Sequence, residues 1–249
     1  MSSTLRVLQA LRSSLLLAGL VTWAASGQAQ VATSYNFAQS AGTYTEITGG
    51  TTLWGGFFGT FDNQVSSAQT IPSFNFDGTN YTQMYVSANG FITFGSAPSG
   101  TNFTPLSSAA SYAGAIAAFG ADIENRSSGL NTRDVRWQNV SGTIVIQWRN
   151  AARQGVNSEN FNAQIRLNTA NNSIEVVYGA LGSQGSSTTQ QPEVGLRGPD
   201  NTFGNNVNNR LVASGAENWA TSLAGTANNS TMRFTTAAPS KAFTNRLTY

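Results

Sequence analysis

One close pair of carboxylates is the feature of this sequence best suited to chemistry. Asp122 and Glu124 are separated by one residue, so in a strand both side chains lie on one face, with Cβ atoms roughly 6 to 7 Å apart. Such a pair can act as the acid and base of a glycoside hydrolase, or as oxygen ligands of a hard cation such as calcium. A polar strand end directly after an apolar run explains the same pair without a ligand, and we favour that simpler interpretation.

The residue types that are absent exclude most enzymatic mechanisms. The chain contains no histidine and no cysteine, so it has no Ser-His-Asp triad, no thiol nucleophile and no usual set of zinc ligands. The single lysine, Lys241, is the only base available for a serine–lysine pair. We therefore expect a protein that is not an enzyme and carries no organic cofactor. A hard cation such as calcium, held by Asp122 and Glu124, is the alternative, although ordinary polar turns are the favoured interpretation of such oxygen-rich clusters.

A set of planar polar side chains forms a second candidate site. Strand alternation predicts that Arg149, Gln164 and Arg166 lie on the outer side of one sheet. Guanidinium and amide groups of this kind hydrogen-bond the hydroxyl groups of sugars. The solvated face of an ordinary antiparallel sheet has the same composition, and this interpretation is favoured over a glycan site. The full predicted face contains Arg136, Gln138, Gln147, Arg149, Gln164, Arg166 and Glu175.

A glycine-rich run of aromatic residues forms a third candidate site. Trp54, Phe57 and Phe58 lie close together in the chain, followed by Phe61 and interrupted by glycines. Glycines let such a loop fold tightly and leave rings exposed, where they stack on sugars or contact a partner. Rings that close one end of a sandwich show the same pattern, and this second interpretation is slightly favoured.

Strand signals dominate the elements that must position these residues. Short alternating segments are separated by turn dipeptides, and helical periodicity is almost absent. Asn89-Gly90 predicts a two-residue type I′ hairpin turn, in which both residues have positive φ. The only stretch rich in helix formers, residues 107–118, predicts a loop or single helical turn that leads into a buried strand. The predicted strands are 71–76, 81–87, 91–94, 115–119, 135–140, 143–149, 161–167, 174–178, 193–196, 210–212, 232–235 and 243–248.

The N-terminus has the pattern of an export signal. Arg6 and Arg12 precede a short apolar run at residues 15–21, and a small-x-small cleavage site follows. The apolar run is too short to span a bilayer. We therefore expect residues 1–29 to be a signal peptide. Residues 30–249 are expected to form one secreted domain, in the extracellular space, at the cell surface or in the periplasm.

Removal of this signal would leave a formally neutral protein. The whole chain has 13 basic and 11 acidic residues, and loss of two arginines leaves 11 of each. No basic excess then remains to attract nucleic acid or an anionic membrane, so we expect neither as a partner and no membrane insertion. Charged residues are only 10% of the chain, which weakens mutual repulsion and favours neutral partners or self-association.

The segment at residues 71–95 combines a strand, a turn, a second strand, an Asn-Gly step and a third strand. In this order it resembles a β-sandwich domain of secreted and surface proteins of Gram-negative gliding bacteria, and residues 44–53 and 161–179 are similar to the flanks of that domain. The Val-Ser-x-Asn-Gly-Phe-Ile-x-Phe unit at residues 86–94 is more loosely similar to the nidogen-type extracellular domain. The resemblance implies an exported sandwich with a role in adhesion or surface assembly.

These observations predict an all-β fold, a single antiparallel β-sandwich of jelly-roll type. The leading function is a non-catalytic secreted interaction module in adhesion or in extracellular and surface structure, with a glycan, a protein or a second copy of the chain as its partner. The alternative is a carbohydrate-binding module that recognises a neutral polysaccharide through the polar face or the aromatic loop. A glycoside hydrolase is a distant third.

Overall fold

The computed structural model describes residues 34–55, 61–124, 133–155, 160–181, 192–199, 210–213 and 230–236. These residues form strands joined by turns and irregular segments, and no helix among them has the length and apolar character needed to cross a bilayer. The strands are β1 (Tyr35–Ala41), β2 (Thr51–Gly55), β3 (Gln69–Phe76), β4 (Thr79–Ser87), β5 (Phe91–Phe94), β6 (Gly114–Gly120), β7 (Ile123–Glu124), β8 (Asp134–Val140), β9 (Thr143–Arg153), β10 (Phe161–Asn168), β11 (Ile174–Leu181), β12 (Glu193–Arg197), β13 (Arg210–Ala213) and β14 (Ser230–Thr236).

The strands form two antiparallel sheets. In the first sheet the order is β1-β14-β11-β10-β9-β8-β2, with the short strand β7 paired to β9. In the second sheet the order is β13-β12-β6-β5-β4-β3. Each sheet contains four neighbouring strands that are also consecutive in the chain, β8 to β11 in the first and β3 to β6 in the second. The predicted all-β antiparallel sandwich is confirmed.

Two hairpin turns have the geometry that matches the right-handed twist of the strands. Asp77-Gly78 joins β3 to β4 with φ angles of 49° and 82°. Ser141-Gly142 joins β8 to β9 with φ angles of 50° and 85°. Two successive positive φ angles define a type I′ turn, and a glycine at the second position adopts this conformation at little cost.

The predicted type I′ turn at Asn89-Gly90 is wrong. Only Gly90 has a positive φ, at 83°, and it closes a three-residue loop between β4 and β5. This pattern is typical of a type I turn that ends in a left-handed residue. Asn89 is held by its buried side chain, because Oδ1 accepts a hydrogen bond from Ile123 N at 3.0 Å and Nδ2 donates to Gly100 O at 2.7 Å.

The hydrophobic core lies between the two sheets. The inward-facing side chains of β9, among them Ile146 and Trp148, are fully buried, as the alternation of this strand predicts. In the described part of the core, Trp148 Nε1 donates a hydrogen bond to Ser87 O at 3.1 Å, and Tyr178 OH donates one to Ala118 O at 2.7 Å. The two polar tips of large core side chains are therefore satisfied by the backbone of the opposite sheet.

The outer face of the second sheet is covered by the irregular segment at residues 104–113. Leu106 and Tyr112 of this segment form a second buried cluster with Phe91 and with Ala115 and Ala117 of β6. Strand β6 is thus buried on both faces, which explains its continuous run of apolar and small residues. The prediction of a loop that leads into a buried strand is correct for this region.

A buried arginine holds this covering segment in place. Arg197 of β12 is fully buried, and its Nη1 donates to the carbonyls of Pro105 and Ser108 at 3.2 Å each. Its Nη2 donates to Ala110 O at 2.5 Å, and its guanidinium lies 4.2 Å from the centre of the Tyr112 ring. Burial lowers the pKa of Arg197, and the three carbonyls and the ring face offset that cost by stabilising the cation.

Candidate functional site

The predicted polar face is the outer side of the first sheet. Arg136 of β8, Gln147 of β9 and Gln164 of β10 form one row across three strands, because the register pairs Arg136 with Gln147 and Gln147 with Gln164. Arg166 lies in the next row and is paired with Glu175 of β11. Since the alternate residues of these strands fill the core, the row faces away from it.

This face is covered by residues 42–48, which we call the cover segment. Gln147 binds its backbone twice: Oε1 accepts a hydrogen bond from Ile47 N at 2.9 Å, and Nε2 donates to Ile47 O at 3.2 Å. Gln164 Nε2 donates to Thr45 O at 2.7 Å and to Gln147 Oε1 at 2.8 Å. The two side-chain amides therefore bind the cover segment much as the edge of a neighbouring strand would, through its N–H and C=O groups.

Two arginines bind the ends of the cover segment. Arg166 Nη2 donates to Thr43 O at 3.0 Å, and Arg136 Nη1 donates to Thr48 O at 2.5 Å. Arg166 is itself fixed by Gln164, whose Oε1 accepts hydrogen bonds from Nε at 2.9 Å and from Nη2 at 2.7 Å. The cover segment is thus held mainly through its carbonyl groups, while its threonine side chains are exposed.

The structure corrects the expectation that this face is open to solvent. Gln147 and Gln164 are fully buried beneath the cover segment. Arg149 forms ion pairs with Glu46 of the cover segment and with the buried Asp134, where Nη2 and Oδ2 are 2.8 Å apart. The planar donors and acceptors that suit sugar hydroxyls suit backbone amides equally well, and here Arg149 and Gln164 are occupied by the chain itself.

An open cavity remains on this face beside the cover segment, and we call it the side cavity. Its volume is about 290 Å³. Val145 of β9 is nearly fully buried on this face, whereas Val140 is 41% exposed and is the one large apolar side chain of the described residues that is classed as exposed. Burial lowers the pKa of Arg166, and the neighbouring Glu175 opposes that shift. The lining consists of Thr45, Ile47, Val140, Thr143, Val145, Gln164, Arg166 and Glu175.

The carboxylate pair lies at the short strand β7 and has a third acidic neighbour. Asp62 forms an isolated backbone bridge with Glu124, and Glu124 Oε1 accepts a hydrogen bond from Gly155 N at 2.9 Å. Burial raises the pKa of Asp122, and the charges of Asp62 and Glu124 raise it further. Within the described ranges, no group of three or more acidic side chains is placed to hold a metal ion. Calcium at Asp122 and Glu124 stays a prediction.

Trp54 is the described member of the predicted aromatic site. It lies in the edge strand β2, paired with Val135, where it is partly buried and packs against the core. Phe61, at the end of the same run, is fully buried. Phe57 and Phe58 lie outside the described residues. The packing of Trp54 favours a structural role for this ring, and a sugar-stacking role for the loop stays a prediction.

Several residues that line the side cavity were not predicted from the sequence. The cover segment has no strand or helix periodicity, so nothing in its sequence indicates that Thr45 and Ile47 reach the polar face. Thr143 belongs to a predicted strand but carries no signal of its own. An apolar residue at the tip of a hairpin, Val140 beside Ser141-Gly142, is the one signal that would have indicated this site.

Comparison with known proteins identifies a family whose model matches most of this chain. A family model described as NIDO related matches residues 34–236, from the residue before β1 to the last residue of β14. No curated protein and no solved structure gives a significant match to the chain.

Proposed function

This chain belongs to the NIDO-related family of nidogen-like extracellular domains, and on that premise we propose that it is a non-catalytic interaction module in adhesion or surface structure. The observation that carries the proposal is the extent of the match, which spans both sheets rather than a single motif. The loose nidogen-type resemblance of residues 86–94 is confirmed at the level of the family. The closer relationship to adhesins of gliding bacteria is part of the proposal.

The internal contacts of the sandwich support a binding role. A segment of the chain covers the outer face of each sheet, and buried side chains bind the backbone carbonyls of that segment. Arg197 does so on the second sheet, and Gln147 and Gln164 do so on the first. Such a scaffold presents a constant surface to a partner. The absence of histidine and cysteine from the sequence further favours binding over catalysis.

Bead attachment tests this proposal. The exported protein is coupled to beads, which are mixed either with cells of the producing organism or with beads that carry the same protein. We expect attachment to the cells or clustering of the beads, above the level of beads that carry the heat-unfolded protein. Failure of both would contradict the proposal, and release of reducing sugar from polysaccharides by the same protein would contradict its non-catalytic part.

Carbohydrate binding is a second candidate function, and one observation favours it. The side cavity is open and lies on the predicted polar face, beside the groups that the cover segment occupies. In this candidate function the sugar is bound around Arg166 and Glu175, and not at Arg149, which is paired within the chain.

A further inference from the structure

We propose that the side cavity binds one neutral sugar unit of a glycan, with Arg166, Glu175 and Thr143 as its hydrogen-bonding residues. The inference rests on the proposed function, because it names the ligand class and the residues of an interaction module. It is carried by two opposite charges that make their contacts with other groups, by unoccupied hydrogen-bonding groups and by an apolar surface beside them.

The two charged residues of the cavity are neighbours, but each makes its hydrogen bonds and ion pairs with other groups. Arg166 and Glu175 are directly paired across β10 and β11. Arg166 is turned towards Gln164 and Thr43, whereas Glu175 forms its ion pair with Arg233, at 2.6 Å. The lining itself therefore offers one cationic donor and one anionic acceptor, and Arg233 lies beyond it as the partner of Glu175.

Hydrogen-bonding groups of the lining are left unoccupied. The contacts of Arg166 use Nε and Nη2, which leaves Nη1 without a partner among the described residues. The contacts of Glu175 use Oε1, which leaves Oε2 without a hydrogen-bond partner among the described residues. Within the same ranges the hydroxyls of Thr45 and Thr143 also lack a hydrogen-bond partner. These groups can donate to and accept from neighbouring hydroxyls at once, which is the pattern that a sugar ring requires.

The apolar part of the lining suits the other face of a sugar ring. Val145, Ile47 and Val140 form an aliphatic surface beside the polar groups, and Val140 is the most exposed of the three. A pyranose has an edge of hydroxyls and a face of C–H groups, so it can contact both parts of the lining. The volume of about 290 Å³ is at the lower limit for small-molecule sites, which suits one sugar unit rather than a longer segment.

Charged sugars and peptides fit the cavity less well. An acidic sugar beside Arg166 would also face the carboxylate of Glu175, and a basic ligand would face the guanidinium in the same way. An extended peptide is usually bound at the open edge of a sheet. The cavity instead lies on the face of β9, β10 and β11, whose edges are paired on both sides.

Binding is measured by retention on immobilised oligosaccharides and by amide chemical shifts. The probes are neutral hexose oligosaccharides, with sulfated and uronic-acid oligosaccharides and a Gly-Ser peptide for comparison. We expect a neutral oligosaccharide to be retained and to shift the amide signals of Thr143, Val145 and Glu175. Equal or stronger binding of the charged sugars, or shifts of these signals by the peptide alone, would overturn the proposal.

Two substitutions test the hydrogen-bonding groups, each with a matched control. Glu175→Gln removes the anionic acceptor and should weaken binding by about tenfold or more. Glu46→Gln makes the same change in another glutamate that is paired with an arginine, outside the lining of the cavity, and should leave the affinity within about twofold. Thr143→Val should weaken binding about fivefold, whereas Thr82→Val, an exposed threonine of the second sheet, should have no effect.

The outcomes separate this inference from the proposed function. Loss of sugar binding in Glu175→Gln and Thr143→Val, but not in their controls, supports the cavity as the site. If no neutral oligosaccharide binds while beads still attach to cells, the ligand class is wrong and the interaction module stands. If binding is unchanged in both cavity variants, the sugar is recognised elsewhere and the assignment of residues is wrong.

Discussion

Replacement of Gln147 by leucine should loosen the cover segment. The substitution keeps a side chain of similar size but removes the amide that accepts from Ile47 N and donates to Ile47 O. It also removes one of the two acceptors of Gln164 Nε2, which keeps its hydrogen bond to Thr45 O. The perturbation is therefore confined to three hydrogen bonds at a fully buried position.

The expected loss of stability follows from two limiting cases. If the cover segment stays in place, the N–H and C=O of Ile47 are buried without partners, at a cost of about 1 to 3 kcal/mol each. If only the part around Ile47 lifts away, while Arg166 and Arg136 keep their contacts with the ends, these groups are hydrated, but three hydrogen bonds of about 1 kcal/mol each and the burial of the Ile47 side chain are lost. The protein adopts the cheaper state, so we expect a loss of about 2 to 4 kcal/mol, or roughly 5 to 15 °C in Tm.

Urea unfolding and hydrogen exchange measure this effect. The matched control is Gln83→Leu, the same substitution at an exposed position of β4, which should change stability by less than about 0.5 kcal/mol. In Gln147→Leu the amide proton of Ile47 should exchange much faster than in the wild type, while amides of the core strands are less affected. Equal stabilities of the two variants, with Ile47 still protected, would refute the conclusion that side-chain amides hold the cover segment.

Three further predictions concern other parts of the sandwich. Gly90→Ala should lower the free energy of unfolding by about 3 kcal/mol, and Gly78→Ala by only about 1 kcal/mol, because both glycines have nearly the same positive φ but only a Cβ at Gly90 would collide with the carbonyl of Phe119. Thermal unfolding of the two variants measures the effect of this collision, and equal losses of stability would contradict it. Asp122→Asn should raise Tm at pH 7, because the pKa of this carboxyl is raised in the folded protein, so its charge destabilises the fold at pH values above the ordinary pKa of 3.8. Measured over a series of pH values, the gain in Tm should vanish below pH 3.8, and a gain that is the same at every pH would show another cause. Arg197→Lys should cost about 2 kcal/mol in urea unfolding, since an ammonium group cannot reach three carbonyls in a fork, and a neutral result would show that charge alone suffices.

Local alternation predicted most of the described strands and the division of β9 into two faces, while the predicted strand at 243–248 lies outside the described residues. Ile144, Ile146 and Trp148 fill the core because every second residue of a strand points to the same side. Strand β1 was not predicted, because its seven residues acquire their pairing from β14, at the other end of the chain. Such long-range pairing leaves no signal in the sequence of either strand alone.

The state of the polar face could not be predicted for a similar reason. A solvated row of glutamine and arginine and a buried row have the same composition, and the difference is made by a segment a hundred residues away, at Ile47. The predicted turn type at Asn89-Gly90 was wrong for a different reason. The preference of Asn-Gly for type I′ turns takes no account of the buried hydrogen bonds of Asn89 with Ile123 and Gly100. Side-chain hydrogen bonds to distant backbone decided both cases.

The side chains of the sheet bind the backbone of the cover segment, so the path of this segment does not depend on most of its own side chains. Arg166 and Arg136 bind the carbonyls of Thr43 and Thr48, while the side chains of these two threonines face solvent. Any residue that accepts an extended conformation offers the same carbonyl, so the outward positions can vary without a change of path. Proline at position 47 is the exception, because it removes the N–H that Gln147 binds. The segment is therefore suited to the display of foreign side chains along a fixed path on a stable sandwich.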